Sequence, residues 1–104
     1  MEKNWVQIAR TDEVADEGGL PFTLHGRQLA LFRSGGNWFA TDNVCTHQYA
    51  LLTDGYVEDG CVECPLHQAL FDLRTGQPTC GPASQPVQVY PIKVESNAVF
   101  VAID

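Results

Sequence analysis

At 104 residues and 11.4 kDa, with 44% hydrophobic and 18% charged residues, the chain has the size and composition of one folded domain, which excludes a large multi-domain enzyme. Six basic against thirteen acidic side chains give a net charge of −7, which argues against nucleic acid or an anionic membrane as partner. No apolar run approaches the roughly 20 residues of a membrane-spanning helix.

In chain order, Met1-Glu2-Lys3-Asn4-Trp5 lacks the basic-then-apolar layout of a secretory leader. Trp5–Ala9 alternates with period two, as a half-buried strand does. Thr11-Asp12-Glu13 is suited to one short helical turn before Gly18-Gly19. Pro21–Leu24 and Gln28–Arg33 flank His25-Gly26, where glycine supplies the positive φ of a tight hairpin. Ser34-Gly35-Gly36 then turns the chain into Asn37–Thr41. Residues 43–83 differ in texture: strand-like pieces Tyr56–Glu58, Cys61–Cys64 and Leu70–Leu73 lie among prolines and glycines. Val89–Glu95 and Ala98–Ile103 flank Ser96-Asn97, a second hairpin signal. These short runs predict an all-β fold, an antiparallel β barrel or sandwich base (1–42 and 84–104) with a subdomain of about 43–83 inserted in it, the whole of 1–104 being one domain. The inserted segment is too poor in continuous apolar sequence to support itself by core burial, so it needs a staple such as a metal centre.

Charge and chemistry concentrate in that insertion. Residues 42–83 hold Asp42, Asp54, Glu58, Asp59, Glu63 and Asp72 against Arg74 alone, together with all four cysteines and two of the three histidines. With no export signal, these cysteines are expected in a reducing cytoplasm as metal ligands or free thiols. Cys45-Thr46-His47 and Cys64-Pro65-Leu66-His67 each offer one thiolate and one imidazole, separated by sixteen residues. Two cysteines and two histidines as a ligand set are the mark of a Rieske-type [2Fe–2S] centre, and the spacing here fits it. With both imidazoles neutral the oxidised cluster carries no net charge, so adding one electron costs less than in a four-cysteine cluster. Zinc is the alternative occupant, because Cys61-Val62-Glu63-Cys64 is itself a Cys-x-x-Cys. Against it, positions three apart on a strand face opposite ways.

Over nearly its whole length the chain resembles the Rieske-type ferredoxins of bacterial aromatic-ring-hydroxylating dioxygenase systems, such as those for naphthalene and biphenyl. The stretches that carry the resemblance are 40–47, 54–58, 63–68, 71–76 and Cys80-Gly81-Pro82-Ala83. It implies that Cys45 and Cys64 bind the inner iron and His47 and His67 the outer one, and that the loop at Gly81-Pro82-Ala83 covers the cluster. Gln48 departs from the family, in which many members have glycine after the first histidine. High-potential relatives place a serine and a tyrosine after the second histidine and brace the two loops with a disulfide. This chain has Ala69 and Phe71 at the first pair of positions and Ala50 and Leu66 at the second, which predicts a reduction potential near the low end of the Rieske range, about −150 mV.

The implied role is a soluble, monomeric single-electron carrier in the cytoplasm, running from a flavin-containing reductase to a terminal oxygenase. It is not itself an enzyme. A mononuclear iron site needs two histidines and a carboxylate, and only His25 remains once His47 and His67 are assigned. The alternative is a small Rieske-like subunit of an assimilatory reductase, such as nitrite reductase. Of the remaining residues, Cys61 and Cys80 are expected as buried or half-buried free thiols, His25 as a solvated turn residue, and Trp5, Trp38 and Phe39 as base packing. Tyr49, Leu51 and Leu66 are either core or docking surface, and the acidic residues of the insertion are expected to steer basic redox partners.

Overall fold

Apolar runs of up to eight residues joined by short turns pair as antiparallel strands, since parallel pairing needs a long crossover, and they do so in three sheets. The structure, a computed structural model, describes residues 4–46, 49–66, 68–81 and 85–103. Its strands are β1 (Trp5–Arg10), β2 (Gly18–Leu24), β3 (Arg27–Ser34), β4 (Asn37–Asp42), β5 (Tyr56–Glu58), β6 (Cys61–Glu63), β7 (Leu70–Asp72), β8 (Pro78–Cys80), β9 (Val89–Tyr90), β10 (Ile92–Glu95) and β11 (Ala98–Ala102). The sheets run β1-β11-β10, β2-β3-β4-β9 and β5-β6-β7-β8. Among the described residues the helical pieces are two 3-10 turns, Thr11–Glu13 and Leu52–Asp54.

The turns anticipated at His25-Gly26, Gly35-Gly36 and Ser96-Asn97 hold, and Asp59-Gly60 adds one that was not anticipated. His25-Gly26, Gly35-Gly36, Asp59-Gly60 and Ser96-Asn97 all have positive φ at both positions, the geometry that matches the twist of paired strands in a two-residue hairpin. One strand expectation is corrected and one strand was not anticipated. Val89–Glu95 is not one strand: β9 pairs with β4, whereas β10 pairs with β11, and the chain changes sheet at Pro91. Proline has no N–H to give a ladder, so it marks the corner. The unanticipated strand is β8, which has no alternating signature; it pairs with β7 across an irregular register, at a sheet edge where a proline is tolerated.

β3 explains how the layers stack. Leu29, Ala30, Leu31 and Phe32 are all fully buried, as expected of a strand covered on both faces. Leu31 joins Ala9, Val14 and Val99 in a core with the first sheet, flanked by Ile8, Leu20, Phe22, Trp38 and Ile92. Ala30 and Phe32 point the other way, into a second core with Val57, Val62, Phe71 and Leu73 of the third sheet region. The insertion therefore leans on the base, and a metal is not its sole support. Hydrogen bonds fix the contact: the Glu17 carboxylate accepts from Ser34 Oγ (2.8 Å), Gly35 N–H (2.9 Å) and Asp59 N–H (3.1 Å), and Ser34 Oγ accepts from Gly60 N–H (2.8 Å). On the outer faces, Lys93 lies over Trp5 and Arg33 over Trp38, so both expected packing tryptophans also serve as cation platforms. Phe39 packs against the second core.

Candidate metal centre

The loops that carry the sequence motifs are closed in the same way. Cys45 N–H donates to Ala50 C=O at 2.8 Å, and Cys64 N–H donates to Ala69 C=O at 2.7 Å, so each cysteine opens a loop shut by the residue five positions on. Both thiols turn inward: Cys45 is 4% exposed and Cys64 fully buried, within the core shared by the second and third sheets. Their sulfurs lie close enough to hydrogen-bond. Burial pushes the Cys64 thiol up, a backbone N–H from Leu66 to its sulfur opposes this, and the Cys45 sulfur beside it raises it further. Two reduced thiols converging in an apolar pocket form a soft donor pair suited to iron–sulfur ligation. His47, Gln48 and His67, and residues 82–84 of the expected covering loop, lie outside the described residues.

The near side of that covering loop is described. A Cβ at Gly81, where φ is +92°, would meet Ala69 Cα at 2.7 Å, so glycine lets this segment sit directly on the second cysteine loop. Thr46 Oγ1 donates to Gln85 C=O at 2.7 Å, tying the first loop to the same segment. Ala69 and Phe71 are fully buried and bring no hydroxyl.

Cys61 and Cys64 diverge, as the strand argument requires. Cys61 pairs with Asp72 on the outer face of the third sheet and lines an open depression of about 340 Å³ with Tyr56, Glu58, Asp59, Glu63 and Leu70. Its thiol is held up by partial burial and by the carboxylates of Asp72 and Asp59. Cys80 is a free thiol but exposed, where a buried or half-buried one was expected; Cys61 is half-buried and His25 an exposed turn residue, both as expected.

Surface character divides sharply. The loop stretches 45–50 and 64–69 contain no Asp, Glu, Lys or Arg, and their exposed side chains include Tyr49 (70%) and Leu66 (41%), while Leu51 is half-buried in a bridge to Val44. Of the acidic residues in 42–83, Glu58, Asp59, Glu63 and Asp72 lie on the third, flank sheet and its hairpin, while Asp42 ends β4 and Asp54 ends the second 3-10 turn. Among the described residues, the ion pairs are Arg10–Asp12 and Lys93–Glu95, both on the base. Sequence reading gave no role to Glu17, took Ser34 only as part of a turn and Asn43 only as part of the resembling stretch 40–47, because single polar residues beside glycines and turns look like ordinary loop chemistry.

A family model described as the Rieske [2Fe-2S] domain matches residues 4–91. The chain is 43% identical over 99 residues to an anthranilate 1,2-dioxygenase ferredoxin subunit of Burkholderia cepacia, covering 95% of this chain and 92% of that protein. It is 39% identical to the ferredoxin component of a naphthalene 1,2-dioxygenase system of Pseudomonas putida, covering 97% of each. Among solved structures, a complex of reduced oxygenase and oxidised ferredoxin in carbazole 1,9a-dioxygenase contains a chain that superposes with a TM-score of 0.90 at 28% identity, covering 97% of this chain and 94% of that one.

Proposed function

This chain belongs to the Rieske [2Fe–2S] domain family, and we propose that it is the ferredoxin component of a bacterial aromatic-ring-hydroxylating dioxygenase system. It carries electrons one at a time and is not the catalyst of a substrate reaction. Its cofactor is one [2Fe–2S] cluster of the Rieske type, which when bound accepts and releases a single electron. The proposed ligands are Cys45 and Cys64, whose buried, adjacent thiols suit the inner iron, with His47 and His67 from the same loops. The single observation that carries the reading is that convergent cysteine pair beneath two uncharged loops. Apolar Tyr49 and Leu66 at the tip suit a short-lived contact with a redox partner.

A flavin-containing reductase supplies the electron in this reading and a terminal oxygenase receives it. Basic patches on both meet the acidic flank, so association slows as salt rises. The chain acts as a monomer with a cluster-binding subdomain at about 43–83. The proposed compartment is the cytoplasm, where unpaired cysteines persist; among the described residues no helix is long and apolar enough to cross a membrane. A permanent subunit of an assimilatory reductase would present a broad apolar interface. The exposed large apolar residues described here are Tyr49, Tyr56, Leu66 and Val94, split between the tip, the flank and the base.

The test is spectroscopic and kinetic. The purified protein should be coloured, contain acid-labile sulfide, give a rhombic EPR signal on reduction, and titrate near −150 mV. It should also support oxygenase turnover in catalytic amounts. His67→Cys should shift or abolish the cluster spectrum. A colourless protein, an unchanged His67→Cys spectrum, or a potential above about zero would each contradict the corresponding element.

A further inference from the structure

Resting on the proposed ligation by Cys45, we infer that Asn43 is a positioning residue, its side-chain amide doing for the first ligand loop what a strand ladder does for the second. The two loops share the same closing hydrogen bond but stand on different foundations. Beneath the second, β6 and β7 pair in unbroken register: Glu63 with Leu70, Val62 with Phe71, Cys61 with Asp72. Beneath the first there is a single bridge, Val44 with Leu51, after which the chain enters the 3-10 turn Leu52–Asp54. One bridge leaves the two stems of a loop free to splay.

Asn43 supplies what is missing. It is 2% exposed, and each of its polar groups has a partner. Its carbonyl accepts from Leu52 N–H at 2.7 Å, its Oδ1 accepts from Thr53 N–H at 2.9 Å, and its Nδ2 donates to Thr53 Oγ1 at 3.0 Å. Its own N–H donates to Gln28 C=O at 3.0 Å, at the end of the middle sheet. Both stems are thereby locked together and to β3, two residues before Cys45. Because buried amide groups are costly to leave unpaired, the lock has one preferred geometry. It fixes how far the Cys45 sulfur stands from that of Cys64.

The test uses the cluster-loaded protein and reads two quantities, the rate of bleaching with a chelator and the EPR g-values after reduction. Asn43→Ala should release iron roughly ten- to hundredfold faster and shift or broaden the g-values, the scale expected when an outer partner of a metal ligand is lost. Thr53→Val keeps the size but leaves Nδ2 unpartnered, and should fall between Asn43→Ala and the parent. Thr53→Ser, which retains the hydroxyl, should restore both readouts. Val99→Ala, in the core on the far side of β3, should lower the melting temperature yet leave the g-values unchanged. Unaltered g-values and bleaching in Asn43→Ala and Thr53→Val would overturn the inference, as would a g-value shift in Val99→Ala equal to theirs. If Asn43→Ala does not fold, the contrast of Thr53→Val with Thr53→Ser decides. Failure of the ligand reading is separately visible, as a parent spectrum without nitrogen coupling from two imidazoles.

Discussion

The base and the flank sheet are built from the same kinds of strand but held together differently. In the base, strands of up to eight residues pair over long registers, and Leu31 and Val99 sit in a core between two sheets. In the flank, β5, β6, β7 and β8 are three residues each and bury one face only, against Ala30 and Phe32 of the middle sheet. Such short strands are not independently stable. The flank depends on the shared core and on the Glu17–Ser34 bridge to Asp59 and Gly60, and under the proposed ligation also on a cluster tethered through Cys45 and Cys64. A carrier gains from this division, because a rigid base holds an uncharged tip in a fixed pose while the acidic sheet beside it faces solvent.

The comparison breaks if the two regions lose structure together. Removing the cluster should strip amide hydrogen-exchange protection from β5–β8 by orders of magnitude while β3, β4 and β11 stay protected. Uniform loss across all three sheets would show that the base is no more autonomous than the flank. Next in size, Phe71→Ala removes the largest flank side chain from the shared core and should cost about 3–5 kcal/mol, read from urea titrations of the holo-protein. A cost under about 1 kcal/mol would mean that the shared core contributes little.

Ser34→Ala should cost about 1–3 kcal/mol, since it leaves the Gly60 N–H without its acceptor and deprives Glu17 of one donor. Glu17→Gln should recover less than a simple polar-for-polar exchange suggests, because one of the two carboxylate oxygens becomes a donor facing donors. The smallest effect concerns β4 and β9, where Tyr90 O–H donates to Asp42 Oδ1 at 2.5 Å. Burial, and then the Asp42 carboxylate, hold the Tyr90 hydroxyl protonated well above its ordinary 10.0. The unfolded chain ionises first, so stability should be fully present below pH 10.0 and decline as pH climbs beyond it. Tyr90→Phe should flatten that decline; an unchanged slope would assign it to other groups.

The proposed ligand set could be put forward from sequence because it is local: a thiol and an imidazole two or three residues apart declare their chemistry whatever surrounds them. The same holds for the hairpins at His25-Gly26 and Ser96-Asn97, whose backbone preference is a property of the turn residues themselves. Long-range geometry was not legible. Pro91 reads as a flaw in one strand until the sheets on either side of it are seen, and Pro78–Cys80 pairs only because β7 offers it an edge. The role of Asn43 was not legible, because its partner, Thr53, is ten positions away.

Composition and spacing alone thus determined an all-β chain of this size with two cysteine–histidine loops in an acidic insertion, since periodicity and donor type are written residue by residue. Only the folded molecule decided that β3 serves two cores, that Glu58, Asp59, Glu63 and Asp72 gather on the flank sheet beside an uncharged tip, and that one buried amide locks the first loop. Those facts depend on which surfaces meet. Burial and hydrogen-bond satisfaction are properties of pairs of segments distant in the chain, and no single stretch encodes them.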